Sequence, residues 1–330
     1  MSKRVKKVVC LGGGTGTSIV LSGLKKYPID LTVIVTMFDS GGSSGKLRRE
    51  LGILPLGDIR QGLTSTASYV PYLDYFNLRE DGENMGNYLI AEEERKTGSL
   101  ERAIDKWRNK LRTKAKVFPV TLKEADIVAI LKDNRKVKKE ERIINYSAIS
   151  EIGVKKLVLE PRVKANPKAI SAIKKADLII IGPGKFYTSI IPIFLVEGIT
   201  EAIRKSRAKK IFICNLMTQV GNTDNFSVED FLRILEKYLN KDIIDYVIVN
   251  TGKLPSKLIK EVKKVFPKAE FIKYDKNLFK NKKFIGADVL DKKIRKLNPR
   301  DILVKKANQR TMVLHNSDKL AKIILKLCRQ

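Results

Sequence analysis

A short apolar strand that runs into a cluster of glycines is the feature that most constrains the fold of this chain. The mostly apolar run from Val5 to Leu11 leads directly into Gly12-Gly13-Gly14-Thr15-Gly16. Apolar positions then recur at helical spacing up to Lys26, and a second apolar run follows at 31–36. Strand, glycine turn, helix and strand together form the opening of a doubly wound parallel sheet. We therefore predict a Rossmann-like α/β fold.

Later parts of the chain extend this pattern. Apolar runs typical of buried parallel strands recur, each followed by a polar or glycine-containing loop, at 176–181, 210–214 and 246–250. An amphipathic closing helix is predicted at 317–327. The sequence shows no internal repeat and no linker. We therefore expect residues 1–330 to form a single, mainly parallel α/β domain.

Two segments depart from the alternation of strand and helix. Between about residues 60 and 115 the periodicity is helical, and we expect this segment to lie beside the sheet. Short apolar runs at 117–122 and 127–131, with a turn at Asp133-Asn134, predict a small antiparallel hairpin.

Composition restricts the location and the chemistry. No apolar run approaches the roughly 18 residues of a membrane span, and no secretory signal pattern precedes the first strand, so we expect a cytoplasmic protein. The three cysteines, Cys10, Cys214 and Cys328, are too far apart to encode a zinc site, and we expect the first two to be buried at strand ends. The single histidine, His315, is expected to be structural and to pack against the last helix.

The net charge of +30 allows two interpretations. A basic surface attracts nucleic acid. However, the lysines are scattered in pairs over amphipathic helices such as 257–264, without a recognition helix or an RNA-binding motif. This pattern favours a chain that is simply rich in lysine, so we do not expect nucleic acid to be a partner. A general attraction for anionic ligands remains under both interpretations.

The loop Gly12-Gly13-Gly14-Thr15-Gly16-Thr17 is the first candidate binding site. Residues without side chains let the backbone approach phosphate oxygens, and the helix that follows directs its free N–H groups to the same place. No Gly-Lys-Ser/Thr follows, and Thr17 stands where a full dinucleotide fingerprint has its third glycine. A tight turn without a ligand is the structural alternative.

A second candidate loop follows the second strand. It runs from Asp39 through Gly41, Gly42, Ser43, Ser44 and Gly45 to Lys46, and combines hydroxyl donors with a basic group. Asp39 stands where it could hold either a ribose hydroxyl or a divalent ion such as Mg²⁺. A flexible surface loop is the alternative.

Three further loops follow predicted strands or turns. Arg60 could clamp phosphate, while Asp58 beside it could be a ligand group or only a helix N-cap. In the segment 182–189, Gly182 and Gly184 precede Tyr187, whose ring could flank a base. Asn215 and Thr218 offer amide and hydroxyl groups for a sugar or a base. Because ligands of such sheets bind beyond the carboxyl ends of the strands, we expect these loops to converge.

These motifs, taken in order, resemble a known family. The blocks that carry the resemblance are Gly-Gly-Gly-Thr-Gly at 12–16, Gly-Gly-Ser-Ser-Gly-Lys-Leu-Arg-Arg-Glu-Leu-Gly-Ile-Leu-Pro at 41–55, Gly-Asp-Ile-Arg at 57–60, Gly-Asn at 86–87, Pro-Val-Thr at 119–121, Gly-Pro-Gly at 182–184, Tyr-Thr-Ser-Ile-Ile-Pro at 187–192 and Asn-Leu-Met-Thr-Gln at 215–219. The chain is similar to the YvcK family of gluconeogenesis factors, within the superfamily of the 2-phospho-L-lactate transferase CofD.

The resemblance implies a Rossmann-like fold with a nucleotide site. In the YvcK branch it implies binding of UDP-sugars and a role in cell shape and cell-wall synthesis on gluconeogenic carbon sources, through a protein partner that the sequence does not name. In the transferase branch it implies transfer from a guanosine-activated phospholactate to a deazaflavin with magnesium. The serine-rich second loop is typical of the YvcK branch. Both readings, and a homo-oligomeric state, stay open here.

Several positions depart from the family pattern. Ser40 replaces an aspartate after Asp39, and the segment 82–87 lacks the usual histidine. Lys185 replaces a serine after Gly-Pro-Gly, Val220-Gly221-Asn222 replaces Pro-Gly-Glu, and His315 is followed by Asn-Ser in place of Asp-Pro. The phosphate loops are intact while acids and histidine are fewer, so the sequence favours nucleotide binding over metal-assisted catalysis.

Overall fold

The computed structural model describes residues 4–80, 83–146, 149–293 and 312–329. Within these residues the strands are, in chain order, β1 (Lys7–Gly12), β2 (Asp30–Val35), β3 (Arg79–Glu80), β4 (Glu83–Asn84), β5 (Lys116–Pro119), β6 (Asp126–Leu131), β7 (Lys136–Lys138), β8 (Val154–Glu160), β9 (Leu178–Ile181), β10 (Lys209–Ile213), β11 (Tyr246–Asn250) and β12 (Phe284–Ala287).

The main sheet is parallel throughout and confirms the predicted Rossmann-like class. Its strand order is β12-β11-β10-β9-β1-β2-β5. From the central β1 the chain first builds outward through β2 to β5, and later returns to the other side of β1 through β9. The order therefore reverses beside β1, and such a reversal opens a crevice at the carboxyl ends of the strands. The strands are nearly continuous apolar runs because both faces of the sheet are covered.

Helices cover the sheet on both faces. In chain order they are α1 (Gly14–Leu24), α2 (Gly42–Leu51), α3 (Gly57–Thr66), α4 (Val70–Asn77), α5 (Met85–Thr97), α6 (Leu100–Lys110), α7 (Glu140–Asn145), α8 (Ile149–Ile152), α9 (Pro167–Lys175), α10 (Ile191–Phe194), α11 (Ile199–Lys205), α12 (Val228–Leu239), α13 (Ser256–Val265) and α14 (Ser317–Arg329). A π-helical turn, Phe186–Ile190, leads into α10, and a 3₁₀ turn covers Lys276–Lys280.

The closing helix lies at the position in the chain that the sequence predicts. Helix α14 lies against α1, so close that a Cβ on Gly23 would come within 2.1 Å of the Ser317 carbonyl oxygen. The helix that follows the glycine loop is therefore held from behind by the end of the chain. Among the described residues, no helix combines the length and the apolar character that crossing a membrane requires.

The predicted hairpin is right in its turn and wrong in one of its strands. Strands β6 and β7 pair antiparallel around Asp133-Asn134, and β8 extends this small sheet on the other side of β6. The run at 117–122, however, belongs to β5, which pairs parallel with β2 at the edge of the main sheet. The partner of a short apolar strand is set by long-range packing, so the local pattern could not distinguish the two sheets.

The segment near 60–115 is mainly helical, as predicted, and contains α3 to α6. It also contains the two-residue ladder between β3 and β4, which the helical periodicity did not indicate. One large apolar core fills both faces of the main sheet. A second, smaller apolar cluster lies beyond the end of β10 and is formed by Leu216, Leu254, Val262, Leu290, Met312 and Val313.

Candidate functional site

A cleft with a volume of about 290 Å³ opens at the carboxyl ends of β1, β2, β9 and β10. The loops after these four strands supply most of its walls, as expected for the crevice at the point where strand order reverses. The predicted site residues that line it are Gly13, Gly14, Thr15, Gly16, Asp39, Gly41, Gly42, Ser43, Ser44, Asp58, Arg60, Gly184, Asn215 and Thr218. The expectation that the loops converge is thus fulfilled for most of the set.

The glycine-rich loop presents the N-terminus of α1 to the cleft. Gly14 begins the helix at φ +68°, a left-handed conformation that favours glycine, and a Cβ there would meet no atom within 4 Å. Gly16 is glycine for a different reason, because its Cβ would lie 2.5 Å from the Pro183 carbonyl oxygen. Helix geometry leaves the N–H groups of Thr15 and Gly16 without intrahelical acceptors, and both residues line the cleft.

One N–H donor of this loop is already hydrogen-bonded to Asp58. Its Oδ1 accepts a hydrogen bond of 2.8 Å from the Gly14 N–H. The N-cap of α3 is Leu56, and Asp58 lies within the first turn of that helix, so the interpretation of Asp58 as an N-cap was wrong. Its side chain instead crosses to the N-terminus of α1, where a carboxylate is stabilised by the positive end of the helix.

The second loop brings a second helix N-terminus to the same cleft. Helix α2 begins at Gly42, and Asp39 Oδ1 accepts the Gly41 N–H at 3.0 Å. The Asp39 carboxylate also accepts a hydrogen bond from the side chain of Ser44. Ser43 is buried, and its Oγ accepts hydrogen bonds from the backbone of Asn84 and the side chain of Asn87, both at 3.2 Å. Because the hydroxyl group of Ser43 accepts these bonds, its own proton is left to donate.

Three carboxylates and one lysine face each other between the two loops. Burial raises the pKa of Asp39, and the charge of Asp58 raises it further. Burial raises the pKa of Asp58 to about 6 and that of Glu140 to about 7. The Lys185 ammonium lies 3.2 Å from Glu140 Oε1 and partly offsets this negative charge. The centre of the cleft is therefore short of positive charge when all three acids are ionised.

The loop after β10 lies on the far side of the glycine loop. The Asn215 amide nitrogen donates to the Gly184 carbonyl at 2.9 Å, which ties this loop to the one after β9 and leaves Asn215 Oδ1 as a buried acceptor without a partner among the described residues. Thr218 lines the cleft, but its hydroxyl oxygen accepts the Glu270 N–H at 3.1 Å. Beyond this loop the cleft wall becomes apolar, with side chains from the smaller cluster around Leu216.

Comparison with known proteins identifies the family of the chain. Residues 8–294 match the family described as 2-phospho-L-lactate transferase CofD. The chain is 34% identical to the gluconeogenesis factor of Bacillus subtilis over 98% of both chains, and 38% identical to that of Listeria innocua over 78% of this chain and 82% of the relative. This chain belongs to the gluconeogenesis factor (YvcK) family, within the CofD-like superfamily.

A solved structure supports the same assignment. A crystal structure of a Bacillus halodurans protein superimposes with a TM-score of 0.85 at 33% identity, and covers 98% of this chain and 100% of that one. The two structures thus share the fold over nearly the whole of this chain. Membership of the CofD-like superfamily suggests a nucleotide-type ligand for the site.

Six of the predicted site residues do not line the cleft. Gly12 and Gly182 lie deeper, at adjacent strand ends, and Gly45 packs against the Ser40 carbonyl. The Thr17 hydroxyl donates to Pro183 O at 3.3 Å, and Lys46 points out to Glu83 at 3.3 Å. The sixth residue is Tyr187.

The aromatic residues of the 182–189 loop were wrongly expected to be available to a base. Tyr187 is only 5% exposed, because its ring packs edge-on against Phe226 and beside Phe186. Burial raises the pKa of its hydroxyl well above the ordinary value. An aromatic pair next to a glycine loop can pack in the hydrophobic core or contact a ligand. In this protein both rings pack in the core.

Other lining residues were missed or given a different role. Glu140 and Arg79 reach the cleft from segments that carry no motif, and only the fold shows them. Asn87 belongs to the Gly-Asn block at 86–87 but was not assigned to the site. Lys185 was noted only as a departure from the family pattern. His315, expected to pack against the last helix, instead lines the cleft at its apolar end. Cys10 and Cys214 are buried, as predicted; Cys214 directly follows β10, whereas Cys10 lies inside β1 and not at its end.

Proposed function

We propose that this protein binds a nucleotide sugar of the uridine diphosphate type in the cleft, with the diphosphate against the N-termini of α1 and α2. The observation that carries the proposal is that two helices of at least ten residues direct their free N–H groups into one cleft at the strand-order reversal. Helix N-termini bind phosphate through these donors and through the helix dipole.

Individual donors support this position of the diphosphate. The backbone N–H groups of Thr15 and Gly16 belong to α1, and those of Ser43 and Ser44 belong to α2. Arg60 lines the cleft beside them, is 8% exposed and donates to Asn77 Oδ1 at 3.0 Å, which holds its guanidinium in place. Lys46, which we expected to join this set, is excluded from the proposal because it faces Glu83.

The proposal includes Mg²⁺ at the centre of the site. Asp39 and Asp58 are carboxylates held by glycine N–H groups and close enough for one charge to raise the other's pKa. Magnesium is usually held by one or two carboxylates together with ligand phosphates. These two residues would hold the ion, and it would neutralise the diphosphate that the acids otherwise repel.

The proposed biological role is the one that the family resemblance implies. Occupancy by a UDP-sugar would report cell-wall precursor supply to a protein partner, and so support cell shape on gluconeogenic carbon sources. The segment at 41–49, which is the N-cap and most of α2, is the one through which occupancy would be reported, because Ser43 lines the cleft and also accepts hydrogen bonds from Asn84 and Asn87 of the neighbouring segment.

A transferase of the 2-phospho-L-lactate type is the second candidate, because the family match covers residues 8–294 and three acids lie at the phosphate position. It predicts tight binding of guanosine diphosphate and phospholactyl transfer to a deazaflavin in the presence of magnesium. The UDP-sugar proposal predicts binding without turnover.

Calorimetric titration with UDP-N-acetylglucosamine, GDP and NAD, each with and without Mg²⁺, separates the two candidates. We expect Gly14→Val to weaken UDP-sugar binding by about tenfold or more, because its side chain would enter the space of the phosphate. Gly98→Val is the matched control, since Gly98 has φ +64° and equally open surroundings but lies at the end of α5. Equal UDP-sugar affinity in the two variants would show that the glycine loop does not belong to the binding site.

A further inference from the structure

His315 is a buried polar group at the apolar end of the cleft. It is 6% exposed, and a β-bridge to Leu290 fixes its backbone. Burial lowers the pKa of the imidazole to about 4, so the ring is neutral at physiological pH. A neutral imidazole carries one N–H donor and one acceptor nitrogen, and the partner of the donor decides which nitrogen is which.

The hydrogen bonds of the ring determine its tautomer. The imidazole donates to the backbone carbonyl of Cys214, at the end of β10. Nε2 has no partner within the described part of the chain, so the donor is Nδ1 and Nε2 is a bare acceptor. A buried acceptor without a partner costs about 1–3 kcal/mol. A ligand that supplies an N–H or O–H group would remove this cost.

The surroundings of His315 select the shape of that ligand group. The neighbouring wall is formed by apolar side chains, namely Leu216, Val262, Phe266, Met312 and Val313. An apolar wall with one convergent polar atom suits a flat heterocycle, which buries its faces and presents one edge to the polar atom. A free sugar, with hydroxyls on all sides, would leave several donors unpaired against this wall.

The distance from the phosphate loops also fits a nucleoside. The loops of the proposed phosphate site follow β1 and β2, while Cys214 and Asn215 follow β10. From β2 to β10 there are three strand spacings, which amount to about 14 Å across the strand ends. A nucleoside diphosphate that lies across these ends places its phosphates on β1 and β2 and its base at β10.

We propose that His315 Nε2 accepts a hydrogen bond from a ring N–H of the nucleotide's base and thereby selects the base. The inference rests on the proposed nucleotide site. Uracil N3 and guanine N1 carry such a hydrogen, whereas cytosine N3 and adenine N1 are lone-pair acceptors that would face the Nε2 lone pair. The site therefore takes uridine or guanosine nucleotides and rejects cytidine and adenosine nucleotides.

Titrations of the full chain with UDP, CDP, GDP, ADP and N3-methyl-UDP test the proposal. For the wild type we expect UDP to bind about tenfold to hundredfold more tightly than CDP and N3-methyl-UDP, because the rejected rings leave a buried acceptor unpaired. In His315→Phe, which keeps an aromatic ring and removes the acceptor, the UDP/CDP ratio should fall to about one. His315→Gln, which can restore an acceptor at this position, should recover part of the ratio.

The outcomes separate the role of His315 from the UDP-sugar proposal. An unchanged UDP/CDP ratio in His315→Phe, or equal binding of UDP and N3-methyl-UDP by the wild type, overturns the role of His315; the second comparison needs no variant and so does not depend on folding. If uridine nucleotides fail to bind while GDP is preferred over ADP, the UDP-sugar proposal falls and the role of His315 stands. If none of the five binds, both fall.

Discussion

At the scale of single residues, Asp58 is the side chain that most affects the strength of phosphate binding. It is half-buried and holds the Gly14 N–H, which is the first donor that α1 offers. A carboxylate at this position keeps the helix N-terminus satisfied when the cleft lacks an anion, but it repels an anion that enters. The affinity for phosphate then depends on whether a cation compensates the charge.

Asp58→Asn tests this effect directly. The amide oxygen can keep the hydrogen bond to Gly14 while the negative charge is removed. Without Mg²⁺ we expect the variant to bind UDP about tenfold more tightly than the wild type, because one like charge is removed from the site. With Mg²⁺ the gain should vanish, since the variant also loses a ligand of the ion. Calorimetry under both conditions measures the two affinities, and weaker binding in both would contradict this account.

At the scale of secondary structure, the N-terminus of α1 is positioned by the loop after β9. Gly16 packs on the Pro183 carbonyl, the Thr17 hydroxyl donates to the same oxygen, and Asn215 ties the loop to the one after β10. From behind, α14 packs on α1. The helix that carries the phosphate donors is thus fixed at both ends, and its direction is set by contacts that were invisible in the glycine pattern.

Gly16→Ala tests the contact with the 182–184 loop. In an open helix, alanine in place of glycine stabilises by about 1 kcal/mol. Here a Cβ would lie 2.5 Å from the Pro183 carbonyl oxygen, which is backbone and cannot rotate away. We therefore expect the opposite sign, a loss of about 1–3 kcal/mol in the free energy of unfolding.

Chemical denaturation measures the effect of Gly16→Ala. Gly62→Ala in α3 is the control, because its Cβ would be no closer than 3.2 Å to the Val117 methyl groups. The control should lose less stability. A stabilised Gly16→Ala protein would show that the loop can move away from α1.

At the scale of the whole molecule, the net charge of +30 creates a field that attracts anions from solution. The acids at the centre of the cleft act only at short range, because salt screens charges beyond about 10 Å. Attraction toward the surface and repulsion inside the cleft are therefore separate effects.

This separation predicts that salt changes the association rate of a UDP-sugar more than its dissociation rate. Between about 20 and about 200 mM salt we expect the association rate to fall at least about threefold, with little change in dissociation. Stopped-flow mixing measures both rates. A steep, salt-dependent affinity for RNA would instead revive the nucleic-acid interpretation of the charge.

The parts of the fold that sequence could predict are those with local signals. The strand, glycine turn and helix at 5–26 form a continuous pattern. The segments at 39–46 and 57–61, which were expected to be loops, instead contain the first turns of α2 and α3. By contrast, β5 was assigned to the wrong sheet because its partner β2 is far away in the chain. The single-domain organisation and the identity of the ligand-contacting residues stay predictions.

The residues of the site were harder to predict from sequence than the elements of the fold. Glu140 carries no motif, and His315 was expected to be structural; both reach the cleft because distant segments pack there. Tyr187 was assigned to the ligand because sequence cannot show which side of a loop faces the core. Lys46 was included because a basic residue after a serine-rich loop resembles a phosphate ligand, but its position on α2 turns it toward Glu83.

The two ends of the cleft have different origins in the chain, and this has a consequence for how such proteins can diversify. The anion-binding end is built from the first 61 residues, whereas the wall around His315 comes from segments beyond residue 210. Substitutions in the later segments can therefore alter which base is bound, while the phosphate-binding residues stay the same. Laboratory selection for a new nucleotide preference should find its mutations at 216–220, 262–269 and 312–315, and leave the glycine loops intact.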